Sequence, residues 1–87
     1  MEINYSDRAL IDVEYWKKSG NKQVQKKINL LLEAIKIAPY HGIGKPEALK
    51  YDLAGFWSRR ITHEDRLVYS ITEENSIQIH SLRGHYI

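Results

Sequence analysis

The spacing of apolar residues changes period once along this 87-residue chain, and that change limits the possible architecture more than any other feature. From residue 7 to residue 38 apolar side chains recur every three or four positions, and from 55 to 82 they alternate with a period of two. In the first stretch Ser6 is placed to cap a helix, with Asp7 in its first turn to oppose the helix dipole. Leu10, Val13 and Trp16 follow at helical spacing up to a break at Ser19–Gly20, and Asn21 can cap a second helix. There Val24, Ile28, Leu31, Ile35 and Ala38 form a one-sided stripe that Pro39 stops. The segment "EINY" (2–5) alternates weakly and is expected to be a short first strand.

The segment between the two periods, "PYHGIGKPEALK" (39–50), carries two prolines and two glycines and reads as a loop. After it, 55–62, 66–72 and 76–86 read as three consecutive antiparallel strands joined at His63–Asp65 and Glu73–Asn75. Helices first and strands afterwards imply an α+β fold: a helical hairpin packed on one face of a small antiparallel sheet. One domain, 1–87, is expected at this length. A three-residue connection at 63–65 would pair Thr62 with Arg66 and Ile61 with Leu67. Trp57, Ile61, Leu67, Tyr69 and Ile71 would then share the core face, and Arg60 and Arg66 would stand together on the other. In the last strand the alternation of Ile77 and Ile79 breaks before Leu82, which suggests a bulge that re-aims Arg83 and His85.

Composition narrows the function class. No cysteine is present, so disulfides, thiol nucleophiles and thiolate metal sites are excluded. No apolar run reaches the roughly 18 residues of a membrane span, and "MEINYSDRAL" lacks a signal-peptide pattern, so a cytoplasmic protein with no membrane partner is expected. The net charge of +2 decides nothing alone, but its distribution is uneven. All eight lysines lie at or before Lys50, whereas four of the five arginines follow it. Arginine offers a planar fork that grips phosphate or carboxylate, so the second half of the chain is where an oxyanion would be held.

Glu47 in the loop, Arg60 and Arg66 on the sheet, and His85 near its end are the residue types that RNA backbone cleavage needs. A base takes the 2′-hydroxyl proton, an acid protonates the leaving 5′-oxygen, and fixed cations stabilise the phosphorane between them; no metal or other cofactor is required. Tyr86 could stack on a splayed base or orient the phosphate. Each residue also has an ordinary reading: a solvated loop carboxylate, surface ion pairs with Glu64 and Asp65, a fraying strand end. His41, His63 and His80 have no partner in the pattern.

The blocks "GKPEALK" (44–50), "GFWSRRIT" (55–62), "DRLVY" (65–69) and the closing "HY" (85–86) resemble the YoeB toxins, a branch of the RelE superfamily of bacterial toxin–antitoxin systems. The Tyr15–Trp16 pair, "KKIN" (26–29) and Pro39 extend the resemblance over nearly the whole chain. It implies a microbial-ribonuclease-like α+β fold and a ribosome-dependent mRNA endoribonuclease. Glu47 would be its general base, Arg66 the stabiliser of the phosphorane, His85 the general acid and Tyr86 its support. The resemblance also places Arg60 and Lys50 beside the phosphate, and Arg83 belongs with the candidate substrate-binding arginines. Implied partners are mRNA in the ribosomal A site, ribosomal RNA, a YefM-like antitoxin and a second copy of the chain. The alternative on the same fold is a protein-binding toxin of the gyrase-poisoning ParE type. Two positions depart from the family tail: Gly84 stands where Tyr is usual, and Ile87 follows Tyr86.

Overall fold

The computed structural model describes residues 1–85; Tyr86 and Ile87, and with them the expectation for Tyr86, lie outside the described residues. The elements in chain order are β1 (Ile3–Tyr5), α1 (Asp7–Ser19), α2 (Lys22–Ile37), β2 (Glu47–Ala48), β3 (Trp57–Arg60), β4 (Arg66–Ile71) and β5 (Ile77–Ser81). A short 3₁₀ turn at Tyr51–Leu53 lies between β2 and β3.

Both helices start as expected. Ser6 accepts from the Ala9 amide and Asn21 from the Val24 amide, satisfying amides that a helix start leaves unpaired, and α1 closes at Gly20. In α2 the stripe Val24, Ile28, Leu31 and Ile35 is buried, and Ala38 stands just past the end as its cap. In α1 the buried face is Ala9, Asp12 and Trp16, so Leu10, expected in the core stripe, is exposed. The polar groups at the end of β5 account for this. Ser6 donates its amide to the Ile79 carbonyl (2.9 Å) and its hydroxyl to the His80 carbonyl (2.9 Å). Those bonds turn α1 so that Asp12 and Trp16, which can bond backbone, meet β5 in place of Leu10.

The sheet has five strands in the order β1-β5-β4-β3-β2. It is mixed rather than wholly antiparallel: β1 runs parallel to β5, with Ile3 opposite Ile77 and Tyr5 opposite Ile79. Two connected helices between β1 and β2 carry the chain across one sheet face. The core lies between layers, with Leu31, Ile35 and Trp16 packed among Leu67, Tyr69, Ile77, Ile79 and Leu82.

Two expectations about the strands are corrected. Residues 47–48, read as loop, form a strand on β3, with Glu47 opposite Ser58 and Ala48 opposite Trp57. The β3–β4 register also differs by two residues: Arg60 faces Arg66 and Arg59 faces Leu67. Side-chain bonding lengthens the turn, because the Thr62 hydroxyl accepts from the Glu64 and Asp65 amides and donates to the Asp65 carboxylate (2.8 Å). A shift of two leaves every side chain on its expected face. The expected bulge is present in β5: Tyr69 faces Ile79 but Val68 faces Ser81, so His80 is the extra residue.

Candidate functional site

Cross-strand pairing lays out the sheet face opposite the helices as two adjacent rows. One row runs Glu47, Ser58, Val68, Ser81. The next runs Gly44, Arg60, Arg66, Gly84: the Arg60 amide donates to the Gly44 carbonyl (2.7 Å) and the Arg66 amide to the Gly84 carbonyl (3.1 Å). Glu47 is thus a diagonal neighbour of Arg60 on one face, a separation of about 7–8 Å between backbones. His85 follows directly on the backbone that pairs with Arg66.

Arg60 and Arg66 share that face, as expected, and the observed register sets them directly opposite each other, but they differ in surroundings. Arg60 is exposed, and among the described residues its guanidinium makes no hydrogen bond. Arg66 is only 8% exposed, and its Nη1 donates to the carbonyls of Thr62, His63 and Asp65 at 3.0–3.1 Å. The expectation of an open-face Arg66 outside the packing is corrected accordingly: one guanidinium edge ties the 61–65 turn. Neither arginine pairs with Glu64 or Asp65; the ion pairs among the described residues are Arg8–Asp12 and Lys36–Glu33. The Asp65 carboxylate instead accepts from Thr62 and from the Gly84 amide (2.8 Å). Two like charges directly opposite destabilise a sheet, and here the three turn carbonyls partly offset the charge of Arg66.

Glu47, Lys50 and Tyr51 line an open groove of about 740 Å³ whose walls are residues 47–53. Tyr51 is 92% exposed and holds a left-handed backbone (φ 57°), a conformation that is strained for an aromatic residue. Arg83 is not with the other two. Its guanidinium carbon lies 3.6 Å from the centroid of the Tyr15 ring on α1, and its carbonyl accepts from Arg8 (3.2 Å).

Two groups lay outside the sequence reading. Arg59, one of the four arginines that follow Lys50, is completely buried. Its Nη2 donates to the carbonyls of Ala38 (2.7 Å) and His41 (2.8 Å), its Nη1 to that of Ile43 (3.1 Å) and its Nε to the Tyr69 hydroxyl (3.2 Å). The Tyr69 hydroxyl donates in turn to the Pro39 carbonyl (2.6 Å). Burial raises the Tyr69 phenol above its ordinary range, partly offset by the hydrogen bond and charge of Arg59. With no carboxylate as its partner, this cation is balanced by carbonyls at the C-terminal, negative end of α2. It therefore anchors the segment that leads to Glu47. Alternation alone would have found it, since a residue between Trp57 and Ile61 must share their face. The second group is His80, which the bulge stacks on Phe56 (ring centroids 3.9 Å apart, 11° between planes) with Nε2 2.9 Å from the Ser70 hydroxyl. Burial holds its imidazole below the ordinary histidine range.

Chemically, the face offers a carboxylate on the strand next to β3, a facing pair of cations, and an imidazole on the segment beside Arg66. Known proteins match this chain in sequence and in fold. Residues 5–86 match the family described as YoeB-like toxin of bacterial type II toxin–antitoxin system. A protein named Toxin YoeB from Synechocystis is 51% identical over 86 residues, covering 99% of this chain and 98% of its own length. Among solved structures, the YoeB–YefM complex from Staphylococcus aureus matches with a TM-score of 0.88 and 46% identity, over 99% of this chain and 98% of that one. The YoeB dimer from the same organism matches with a TM-score of 0.88 and 45% identity over the same shares. With sequence and fold in agreement over nearly the whole chain, it belongs to the YoeB-like toxins of bacterial type II toxin–antitoxin systems.

Proposed function

We propose that this toxin is a metal-independent endoribonuclease that cuts mRNA in the ribosomal A site and thereby stops translation. The observation that carries the reading is the Arg60–Arg66 pair: two cations on directly opposed positions that, among the described residues, form no ion pair with a carboxylate, one row from Glu47 and beside the backbone that leads to His85. A phosphodiester fits between such a pair and removes their repulsion. Glu47 takes the proton of the 2′-hydroxyl as its oxygen attacks phosphorus, and a pentacoordinate phosphorane forms. Arg66 and Arg60 stabilise the added negative charge, and Lys50, on the rim of the Glu47 groove, adds a third cation. His85 donates a proton to the departing 5′-oxygen, with Tyr86 supporting it, and the products are a 2′,3′-cyclic phosphate and a free 5′-hydroxyl. An Arg66 tied to three carbonyls is already in place before the substrate arrives, which lowers the reorganisation needed in the transition state.

The Staphylococcus relatives solved as a complex with YefM and as a dimer support a YefM-like antitoxin and a second copy as partners of this chain. An acidic antitoxin segment that sets carboxylates against Arg60 and Arg66 would occupy the phosphate position and silence the enzyme. Programmed ribosomes carrying end-labelled mRNA provide the test. The wild type should give A-site fragments ending in a 2′,3′-cyclic or 3′-phosphate, and Glu47→Gln and His85→Gln should each slow single-turnover cleavage by about 10²-fold or more. Intact mRNA at saturating toxin, or fragments ending in a 3′-hydroxyl, would refute the proposal.

A further inference from the structure

The strand that leads to His85 loses its outer neighbour just before the site. β1 pairs with β5 only as far as Tyr5–Ile79, and beyond that point side chains of α1 take the place of a strand. Ser6 donates its hydroxyl to the His80 carbonyl (2.9 Å). Asp12, 2% exposed, accepts from the Leu82 amide (2.8 Å), and the Trp16 indole donates to the Leu82 carbonyl (2.8 Å). Arg8 spans the last step: its Nε donates to both Asp12 oxygens (3.1 and 3.2 Å) while its Nη2 donates to the Arg83 carbonyl (3.2 Å). Gly84 is then bonded through its amide to Asp65 and through its carbonyl to the Arg66 amide. Chain ends fray unless tied down, and here the ties continue to the residue before His85.

We propose that Arg8 and Asp12 are positioning residues for His85: the buried carboxylate fixes residue 82 and aims the Arg8 fork at residue 83, so that across one glycine link His85 is held beside Arg66. For its consequence in rate the inference rests on the ribonuclease reading above. The bridge needs arginine, because two edges of one planar group must reach two acceptors at once; a lysine ammonium keeps the charge but supplies a point donor on a flexible stem. Arg8→Lys therefore removes the bridge while leaving the net charge, and so the general attraction to RNA, as it was. The Arg8 side chain is 60% exposed, and in its absence the Leu82 amide still donates to Asp12. The fold should therefore survive, most securely in Arg8→Lys, which keeps a cation near the buried carboxylate.

The test has two independent arms on the full-length toxin. Amide ¹⁵N relaxation should give rigid-backbone order parameters near 0.85 for residues 82–85 of the wild type, and values below about 0.6 for 83–85 in both Arg8 variants. Asp12→Asn should act in the same direction. Single-turnover cleavage on ribosomes should fall by about tenfold in Arg8→Lys, since small misplacements of a catalytic group have large effects on rate. In a His85→Ala background the same change should cost less than about twofold, because the group being positioned is gone. Unchanged order parameters in both Arg8 variants would overturn the inference, as would an undiminished tenfold loss in the His85→Ala background. A loosened tail in a toxin whose wild type cuts no RNA would retain the clamp and refute the ribonuclease reading instead.

Discussion

Replacing Arg59 with Met tests whether a buried cation holds the Glu47 side of the site together. Methionine roughly fills the space of the aliphatic stem but offers no donor, so the carbonyls of Ala38, His41 and Ile43 and the Tyr69 hydroxyl all lose the partner they have now. Each hydrogen bond to a charged group contributes about 1.5–3 kcal/mol, but the four are not additive, because removing the guanidinium also removes the cost of burying it. Breaking a buried ionic network from one side typically costs about 3–5 kcal/mol. Against a total of roughly 4–13 kcal/mol for a domain of this length, that is a large share. It corresponds to a fall in melting temperature of about 12–40 °C, at 4–8 °C per kcal/mol. Arg59→Lys should fall in between, since an ammonium can reach one or two of the four acceptors. Calorimetry on the purified free toxin measures both. A melting temperature for Arg59→Met within about 2 °C of wild type, well under the effect of one kcal/mol, would refute the assignment of Arg59 as the anchor of the 38–44 segment.

Arg66→Ala should lower single-turnover cleavage by about 10²–10³-fold through loss of a fixed donor to the phosphorane. It should also lower the melting temperature by a few degrees, because Nη1 ties three turn carbonyls; an unchanged melting temperature would show those bonds to be incidental. Stability should fall as the pH drops below the ordinary histidine value of about 6.5. Folded His80 is held below that value, so the unfolded chain takes up the proton first and the loss continues down to the folded pKa. His80→Gln should flatten this acid limb in urea titrations at pH 7.5 and 5.5, and an unaltered slope would assign it to other groups. Tyr51→Ala should leave the melting temperature unchanged, since the ring is 92% exposed, and lower kcat/KM by about 10-fold if the ring stacks on a base at the Glu47 groove; an unchanged kcat/KM would mean that no base is seated there.

What was legible in the sequence was whatever a local rule controls. Caps at Ser6 and Asn21, the α2 stripe and the bulge in β5 follow from residue type and period, and the structure has all of them. The two-residue error in the β3–β4 register came from a turn held by the Thr62 and Asp65 side chains, which period cannot reveal. It left both arginines on one face, because a shift of two preserves facing, but it hid that Arg60 stands directly opposite Arg66. Leu10, read as core, and Arg59, given no place, share a different cause. An apolar and polar pattern sorts groups by class, whereas the structure selects for groups that can satisfy backbone. Asp12 and Trp16 are inside because Leu82 has an amide and a carbonyl to satisfy, and Arg59 because the end of α2 has carbonyls to satisfy. Strand β2 was missed because two residues are too short to show a period.

Gly84 joins these devices. Its backbone is left-handed (φ 76°), where any residue with a Cβ would be strained by about 1–2 kcal/mol, although a Cβ there would meet no other atom within 4 Å. The constraint at this position is thus conformational rather than steric, and glycine relieves it where the resemblance leads one to expect tyrosine. The backbone around this position is held by bonds at Gly84 itself and by Ser6 and α1 at residues 80–83. Both arms of the site are therefore held in the same way. Charged or hydrogen-bonding side chains other than the proposed catalytic residues grip the backbone that leads to Glu47 and to His85. The Arg60–Arg66 pair stands between those arms on the two strands at the middle of the face, where the register fixes their opposition. On the proposed ribonuclease reading, Arg59 of β3 and the side chains of α1 hold the backbone that leads to the two reacting groups, one of which stands on an edge strand.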